Sequence, residues 1–282
     1  MPSSNYAYVN GRFVPEAEAS VSIFDRGFLY GDGVFETMRL YEGKIFRMYQ
    51  HLQRLLNGLK VLQIGPRITQ EELQVALLEL IERNGLKDGM ARIYVTRGTS
   101  SFGMNPQATW QPSVVALART RSAPTVLRAI ISSIRLDSGS KLTGIKSANR
   151  LPYELAQHEA RNAGFSEAVL LNGEGRVVEF AARNLFVVKN GDLFTPPLSD
   201  GPLAGVTRNV VLIIAAKLGI PAYEIGFGTE MFAEADEVFA TNSVKEIEAV
   251  EEVDGAVFQE RHVTMRLQNA YHEFVSEELE LA

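Results

Sequence analysis

The sequence predicts a mixed α/β (α+β) protein built from two domains. Segments with the two-residue alternation of β-strands and segments with the periodicity of amphipathic helices follow one another through all 282 residues. A polar stretch that contains Pro124 divides them into two halves, which is typical of a linker. We therefore expect a small N-terminal α/β domain over residues 1–120, an interdomain linker over 121–127 and a larger C-terminal α/β domain over 128–282.

In the first half, each element is predicted from its local pattern. The dipeptide Asn10-Gly11 suits a tight hairpin turn, and a glycine-rich stretch precedes a strand that carries the charged residues Glu36 and Arg39. Alternation places Arg92 on the polar face of a later strand. The predicted elements are a hairpin over 6–14, helices over 46–62 and 70–84, and strands over 34–41, 91–96 and 114–118.

In the second half, a lysine stands between the first predicted strand and the first predicted helix. Lys146 is surrounded by small residues, so its amine could be partly desolvated in a cleft, which lowers the pKa of a lysine and makes it nucleophilic. A solvated loop lysine would show the same local pattern. The predicted elements are strands over 128–134 and 237–240, hairpins over 168–180 and 184–197, a strand pair around Asp254-Gly255, and helices over 152–163, 209–217 and 263–277.

The composition narrows the possible classes of function. There is no cysteine, so thiol nucleophiles, thiolate metal sites and disulfides are excluded, and four scattered histidines predict no metal site. A net charge of −6 with interspersed charges argues against nucleic acid and a membrane surface as partners. The chain begins without the features of a signal peptide, and its apolar stretches are too short to span a bilayer. We expect a cytoplasmic protein that acts on small molecules.

An anion site is predicted at the start of one helix. The motif Gly205-Val206-Thr207-Arg208 precedes the apolar helix over 209–217, and backbone amides at a helix N-terminus favour a negative charge. A threonine that merely caps a helix has the same signature. The polar turn that contains Asn242 and Ser243, together with the guanidinium of Arg54, could complete such a site.

These features resemble, in their order along the chain, the fold-type IV (class IV) pyridoxal-phosphate (PLP) aminotransferases. The group contains branched-chain aminotransferases, D-amino-acid aminotransferases and aminodeoxychorismate lyases. The resemblance implies a two-domain fold with the cofactor at the domain junction, and a homodimer or higher homo-oligomer. It rests on motifs at residues 25–37, 51–55, 145–151, 178–186, 205–208 and 235–239.

The resemblance also implies a role for each matching residue. Lys146 would form a Schiff base with pyridoxal 5'-phosphate and act as the general acid/base, and Glu179 would bond the pyridine nitrogen. The implied phosphate ligands are Arg54, Val206, Thr207, Asn242 and Ser243. The implied substrate-binding residues are Tyr30, Phe35, Arg39, Arg92 and Val244, among which the two arginines are candidates for binding a carboxylate.

The residues that match the substrate pocket of the family favour an aminotransferase. Such an enzyme would exchange an amino group between a hydrophobic or branched-chain L-amino acid and a 2-oxo acid such as 2-oxoglutarate. Residues 101–106 are similar to a loop of the branched-chain enzymes. Phe102 and Met104 stand where D-amino-acid aminotransferases carry an arginine and a histidine, which argues against that specificity.

Two alternatives remain open from the sequence. Met90 and Arg150 stand where branched-chain enzymes often carry tyrosines, and residues 149–151 and 241–244 are more similar to aminodeoxychorismate lyases, which form 4-aminobenzoate and pyruvate. A non-catalytic binding protein that retained the fold is the other alternative, in which Lys146→Ala would leave the role of the protein intact.

Overall fold

The protein is described by a computed structural model over residues 5–65, 68–100, 111–121 and 126–280. The chain forms two compact units, one of Met1–Ser122 with Ile145–Arg150 and one of Ala123–Gly144 with Leu151–Ala282. Each unit combines helices with a β-sheet, so the predicted mixed α/β class is confirmed.

The first unit contains a six-stranded sheet whose neighbouring strands all run antiparallel. Its elements are β1 (Tyr6–Val9), β2 (Arg12–Pro15), α1 (Arg26–Tyr30), β3 (Gly33–Tyr41), β4 (Lys44–Ile45), α2 (Met48–Val61), α3 (Gln70–Arg83), β5 (Gly89–Thr96) and β6 (Ser113–Arg119). The strand order is β2-β1-β6-β5-β3-β4.

The core of the first unit lies between one face of this sheet and the helices α2 and α3. Alternate residues of β5 are buried, as expected for a strand with one face on a core. A reciprocal pair of hydrogen bonds between Thr69 and Glu72 caps the start of α3. The core contains Met38, Leu40, Leu52, Leu55, Leu77, Leu80, Ile93 and Val95.

The segment that carries Lys146 is hydrogen-bonded to the first unit. The amide of Phe35 donates to the carbonyl of Lys146 at 3.0 Å, and the amide of Ala148 donates to the carbonyl of Gly33 at 2.9 Å. These bonds attach the segment to the start of β3 as an antiparallel bridge. The sequence analysis assigns this segment to the domain over 128–282, because the segment lies within that range. Its pairing with β3, which is far away in the chain, cannot be read from local patterns.

The second unit contains a nine-stranded sheet of mixed direction. Its strand order is β12-β11-β10-β13-β14-β7-β8-β9, with β15 paired to β14, and the pairs β14·β7, β7·β8 and β11·β12 are parallel. Its elements are β7 (Leu127–Leu136), α4 (Leu151–Asn162), β8 (Glu167–Asn172), β9 (Val177–Phe180), β10 (Asn184–Lys189), β11 (Asp192–Thr195), α5 (Val206–Lys217), β12 (Ala222–Glu224), β13 (Glu237–Asn242), β14 (Glu246–Val253), β15 (Ala256–Val257) and α6 (His262–Glu280).

Three differences from the predicted elements bear on the site. The helix predicted over 209–217 begins at Val206, so the anion motif forms its first turn. The strand predicted over 237–240 continues through Asn242. The sequence missed the short helix α1, which forms because the side chain of Asp25 accepts a hydrogen bond from the amide of Gly27 at 2.7 Å. None of the helices described has both the length and the apolar character that membrane crossing requires.

Candidate functional site

In the first unit, the amine of Lys146 lies over an aromatic ring at the start of β3. Its Nζ is 4.8 Å from the centroid of the Phe35 ring, which stacks on the ring of Tyr94 at 5.2 Å. Phe35 and Tyr94 are direct partners in the register of β3 and β5, so their side chains share one face of the sheet. The opposite face packs on the helices. The lysine therefore stands on the face that is not covered by α2 and α3.

A guanidinium group is held on the same face by neutral partners. The Nε of Arg92 donates to Thr37 Oγ1 at 2.9 Å, and its Nη1 lies 3.4 Å from Tyr94 Oη. The guanidinium carbon is 5.7 Å from the centroid of the Phe35 ring. Within the part of the chain that the structure describes, Arg92 makes no ion pair. Its positive charge is therefore available to a carboxylate from a substrate.

On the helix-facing side of β3, a buried acid binds two basic residues of α2. Glu36 is completely buried, and its carboxylate accepts from Arg54 Nε at 2.6 Å and from Arg54 Nη2 at 2.8 Å. His51 Nδ1 lies 2.8 Å from Glu36 Oε2. The sequence singled out Arg54 but not this network. Two features of the sequence could have indicated it: an acid inside an apolar strand, and a histidine and an arginine three positions apart on one face of a helix.

The electrostatics of this network keep Glu36 ionised. Burial alone would raise the pKa of Glu36, but the charges and hydrogen bonds of Arg54 and His51 outweigh it and hold that pKa at about 2. Burial lowers the pKa of His51, against the opposing effect of the Glu36 carboxylate. The bidentate ion pair thus fixes the position of the Arg54 guanidinium.

Two other predicted substrate residues have different surroundings. Arg39 is buried, donates to the carbonyl of Gly89 at 2.9 Å and forms an ion pair with Asp88, so its charge is compensated within the unit. Tyr30 ends α1 and is 39% exposed, with the guanidinium of Arg26 at 4.6 Å from its ring centroid. The structure favours Arg92 over Arg39 as the carboxylate ligand. Phe102 and Met104 lie outside the described residues.

In the second unit, Glu179 is a buried carboxylate held by neutral donors. Its Oε2 accepts from Asn184 Nδ2 and from the amide of Leu203, both at 3.1 Å, and Asn184 also donates to the carbonyl of Leu203 at 2.8 Å. These two hydrogen bonds orient the carboxylate. A buried, oriented carboxylate is a group that can accept a hydrogen bond from a protonated ring nitrogen.

The first turn of α5 lies next to Asn184. A Cβ atom added at Gly205 would be only 2.0 Å from Asn184 Oδ1, so this close approach requires glycine. The N-cap residue is Gly205, which has no side chain to cap the helix, and Val206 and Thr207 are buried there. Directly opposite Asn184 in the strand register, Thr241 has a buried hydroxyl without a hydrogen-bond partner in the described part of the chain. An uncapped helix start and an unsatisfied hydroxyl suit an anionic group such as a phosphate.

The predicted Asn242–Ser243 turn also belongs to the second unit. Asn242 Oδ1 accepts from the amides of Val244 at 3.1 Å and Lys245 at 2.8 Å, which fixes the chain after β13. Among the residues predicted from the sequence, Lys146, Arg54, Phe35, Arg92, Arg39 and Tyr30 are in the first unit, whereas Glu179, Val206, Thr207, Asn242, Ser243 and Val244 are in the second. The acceptor carboxylate of Glu179 and the backbone amides at the start of α5 fit a group that carries both a protonated ring and a phosphate.

Comparison with known proteins places the chain among related sequences. A sequence profile of the family described as Amino-transferase class IV matches residues 33–253. A protein of Methanocaldococcus jannaschii, provisionally named a branched-chain-amino-acid aminotransferase, is 40% identical over 262 residues, covering 91% of this chain and 90% of that protein. The aminodeoxychorismate lyase of Bacillus subtilis is 36% identical over 245 residues, covering 85% and 84%. The D-alanine aminotransferase of Staphylococcus haemolyticus is 31% identical over 274 residues, covering 95% and 97%.

Solved structures agree with these sequence relationships. The branched-chain aminotransferase of Thermoproteus uzoniensis with norvaline has a TM-score of 0.91 at 34% identity, covering 96% of this chain and 95% of that one. The T.th. branched-chain amino acid aminotransferase, complexed with N-(5'-phosphopyridoxyl)-L-glutamate, has a TM-score of 0.91 at 31% identity, covering 98% and 96%. The chain therefore belongs to the class IV aminotransferases, a family of enzymes that depend on pyridoxal 5'-phosphate.

Proposed function

We propose that this aminotransferase exchanges an amino group between a hydrophobic, branched-chain L-amino acid and a 2-oxo acid such as 2-oxoglutarate. The observation that carries the proposal is the face of the first unit on which Lys146 Nζ lies over Phe35 and Arg92 has no ion pair among the described residues. A hydrophobic amino acid needs three groups for this reaction. An amine moves the proton, an aromatic surface contacts the side chain, and an uncompensated cation binds the carboxylate.

Lys146 is the proposed catalytic residue. When bound, the cofactor supplies an electron sink for negative charge at the substrate α-carbon. Lys146 Nζ is the proposed attachment point for the cofactor, and it then moves the proton at that α-carbon. Two backbone hydrogen bonds attach the segment of Lys146 to β3, and the amine lies over Phe35.

Arg92 is the proposed ligand of a substrate carboxylate. Thr37 Oγ1 and Tyr94 Oη accept two of its hydrogen bonds, and the remaining N–H groups can make a bidentate contact. A 2-oxo acid with a second carboxylate, such as 2-oxoglutarate, would use that contact. The stacked rings of Phe35 and Tyr94 provide an apolar surface for a branched aliphatic side chain.

The other proposed cofactor ligands are those that the family resemblance implies. Glu179 accepts a hydrogen bond from the protonated ring nitrogen, which preserves the positive charge on the ring. The negative charge of the phosphate matches Arg54, whose guanidinium is fixed by Glu36, and the uncapped first turn of α5. Asn242 and Ser243 are the remaining proposed phosphate ligands. The family resemblance further supports a homodimer or a higher homo-oligomer.

The lyase reaction is the second candidate. The Bacillus subtilis relative that is 36% identical over 245 residues is an aminodeoxychorismate lyase. Such a reaction uses the same lysine and the same ring carboxylate, so the contacts of Lys146 and Glu179 serve both chemistries. The two candidates differ in what reaches the face of Phe35 and Arg92, namely an aliphatic amino acid or an aminated chorismate.

A single substrate series tests these alternatives. The purified cofactor-loaded protein is mixed in turn with L-leucine, L-valine, L-glutamate, D-alanine and aminodeoxychorismate, while the visible absorption of the bound cofactor and the products are measured. We expect the absorption to change and 2-oxo acids to form with the L-amino acids, and no change with Lys146→Ala. Formation of 4-aminobenzoate and pyruvate from aminodeoxychorismate, without a reaction of any amino acid, would establish the lyase instead.

A further inference from the structure

The connection between β9 and β10 carries an arginine that binds two buried acids. Arg183 forms an ion pair through Nη1 with Glu167 on β8, and its Nε donates to Glu248 Oε2 on β14 at 3.0 Å. Glu167 is 1% exposed and Glu248 is 8% exposed. The arginine therefore ties the β9–β10 connection to two other strands of the same sheet.

The charges of this cluster depend on the arginine. Two carboxylates face one guanidinium, and burial raises the pKa of Glu167 although the charge of Arg183 opposes the rise. Glu248 Oε1 is buried and has no hydrogen-bond partner in the described part of the chain, so the charge of Glu248 relies on Arg183.

The same connection contacts the residues proposed to bind the cofactor. On one side of Arg183, the carbonyl of Ala182 accepts from Asn242 Nδ2 at 3.3 Å. On its other side, Asn184 donates to Glu179. Arg183 thus stands between a residue that contacts the ring carboxylate and a residue that contacts the phosphate turn.

We propose that Arg183 is a positioning residue for phosphate binding, because its ion pairs hold the carbonyl of Ala182 where Asn242 can donate to it. This inference rests on the proposed function of the Asn242–Ser243 turn. The planar guanidinium reaches two carboxylates on separate strands, which the single ammonium group of a lysine does not do in a fixed geometry. The phosphate, and not the ring, is the part of the cofactor whose binding depends on this contact.

The test compares two ligands that differ only in the phosphate. Dissociation constants of the cofactor-free protein are measured by absorbance for pyridoxal 5'-phosphate and for pyridoxal, in wild type and in Arg183→Met. We expect about tenfold weaker binding of the phosphorylated compound, which corresponds to the net contribution of about one hydrogen bond, and unchanged binding of pyridoxal. Arg128→Met is the control, since Arg128 pairs with Glu252 on the same strand β14 and is expected to change neither constant.

A double variant covers the case in which Arg183→Met fails to fold. Removal of the arginine leaves Glu248 as an unpaired buried charge, whereas Arg183→Met with Glu248→Gln removes that charge as well. If the folded double variant keeps the wild-type preference for the phosphorylated compound, Arg183 serves stability only and the inference is wrong. A wild-type protein that binds neither compound would instead overturn the proposed function, and this inference with it.

Discussion

Replacement of the buried acid Glu36 by glutamine should remove a specific, pH-dependent part of the stability of the protein. In the folded chain the pKa of Glu36 is about 2, below its ordinary value of 4.5, because Arg54 and His51 outweigh the effect of burial. The folded state therefore binds this proton less readily than the unfolded chain does. The stability that comes from Glu36 is complete above about pH 4.5 and is lost as the pH falls toward 2.

The magnitude follows from the two pKa values. The interval between 4.5 and about 2 is equivalent to about 3 kcal/mol of unfolding free energy, at about 1.4 kcal/mol for each pKa unit. Glu36→Gln keeps the shape of the side chain and loses the charge. The variant should therefore be less stable than wild type by about 3 kcal/mol at pH 7, and about half of that difference should be gone near pH 3.3.

The assay is guanidinium unfolding of both proteins at a series of pH values, followed by circular dichroism. The cofactor-free chain is used so that ligand binding adds nothing to the stability. Glu79→Gln is the control, because Glu79 pairs with Arg83 at the exposed surface of α3 and should change stability by no more than about 0.5 kcal/mol. A difference between Glu36→Gln and wild type that stays constant from pH 7 to pH 3 would refute the electrostatic account.

Three further variants test other parts of the structure. Arg92→Met should raise the KM for a dicarboxylic 2-oxo acid by about tenfold or more in steady-state kinetics, with little change in kcat, because it removes a charge-assisted contact. Gly205→Ala should weaken cofactor binding by about tenfold in an absorbance titration, because the added Cβ would displace Asn184 from Glu179. Leu77→Ala should lower the unfolding free energy by about 2 to 5 kcal/mol in chemical denaturation, because Leu77 is completely buried in the core of the first unit.

Each of these expectations has a contrary outcome. An unchanged KM in Arg92→Met would assign carboxylate binding to another residue. Full cofactor affinity in Gly205→Ala would show that the contact between Asn184 and Glu179 does not govern binding. A loss below about 1 kcal/mol in Leu77→Ala would show that the surrounding core collapses into the space that the leucine leaves.

Local patterns in the sequence were sufficient to predict most of the helices and strands and to identify the family. The capped helix α3 and the alternation in β5 follow from neighbouring residues, and both are present in the structure. The short helix α1 and the edge strand β12 were missed because α1 has five residues, little more than one helical turn, and β12 has three, so neither shows a periodic pattern. The roles of Lys146 and Glu179 remain predictions from the resemblance, since neither pattern nor spacing reveals what a side chain binds.

The sequence by itself determined which chemical groups this protein has: an amine among small residues, an acid on an apolar strand and an anion motif before a helix. Only the tertiary structure decided how they are paired. Arg39 is compensated by Asp88, whereas Arg92, which the sequence ranks with it, has no ion pair among the described residues. The physical reason is that ion pairs and strand register join positions far apart in the chain, and periodicity reports only which face of an element is buried.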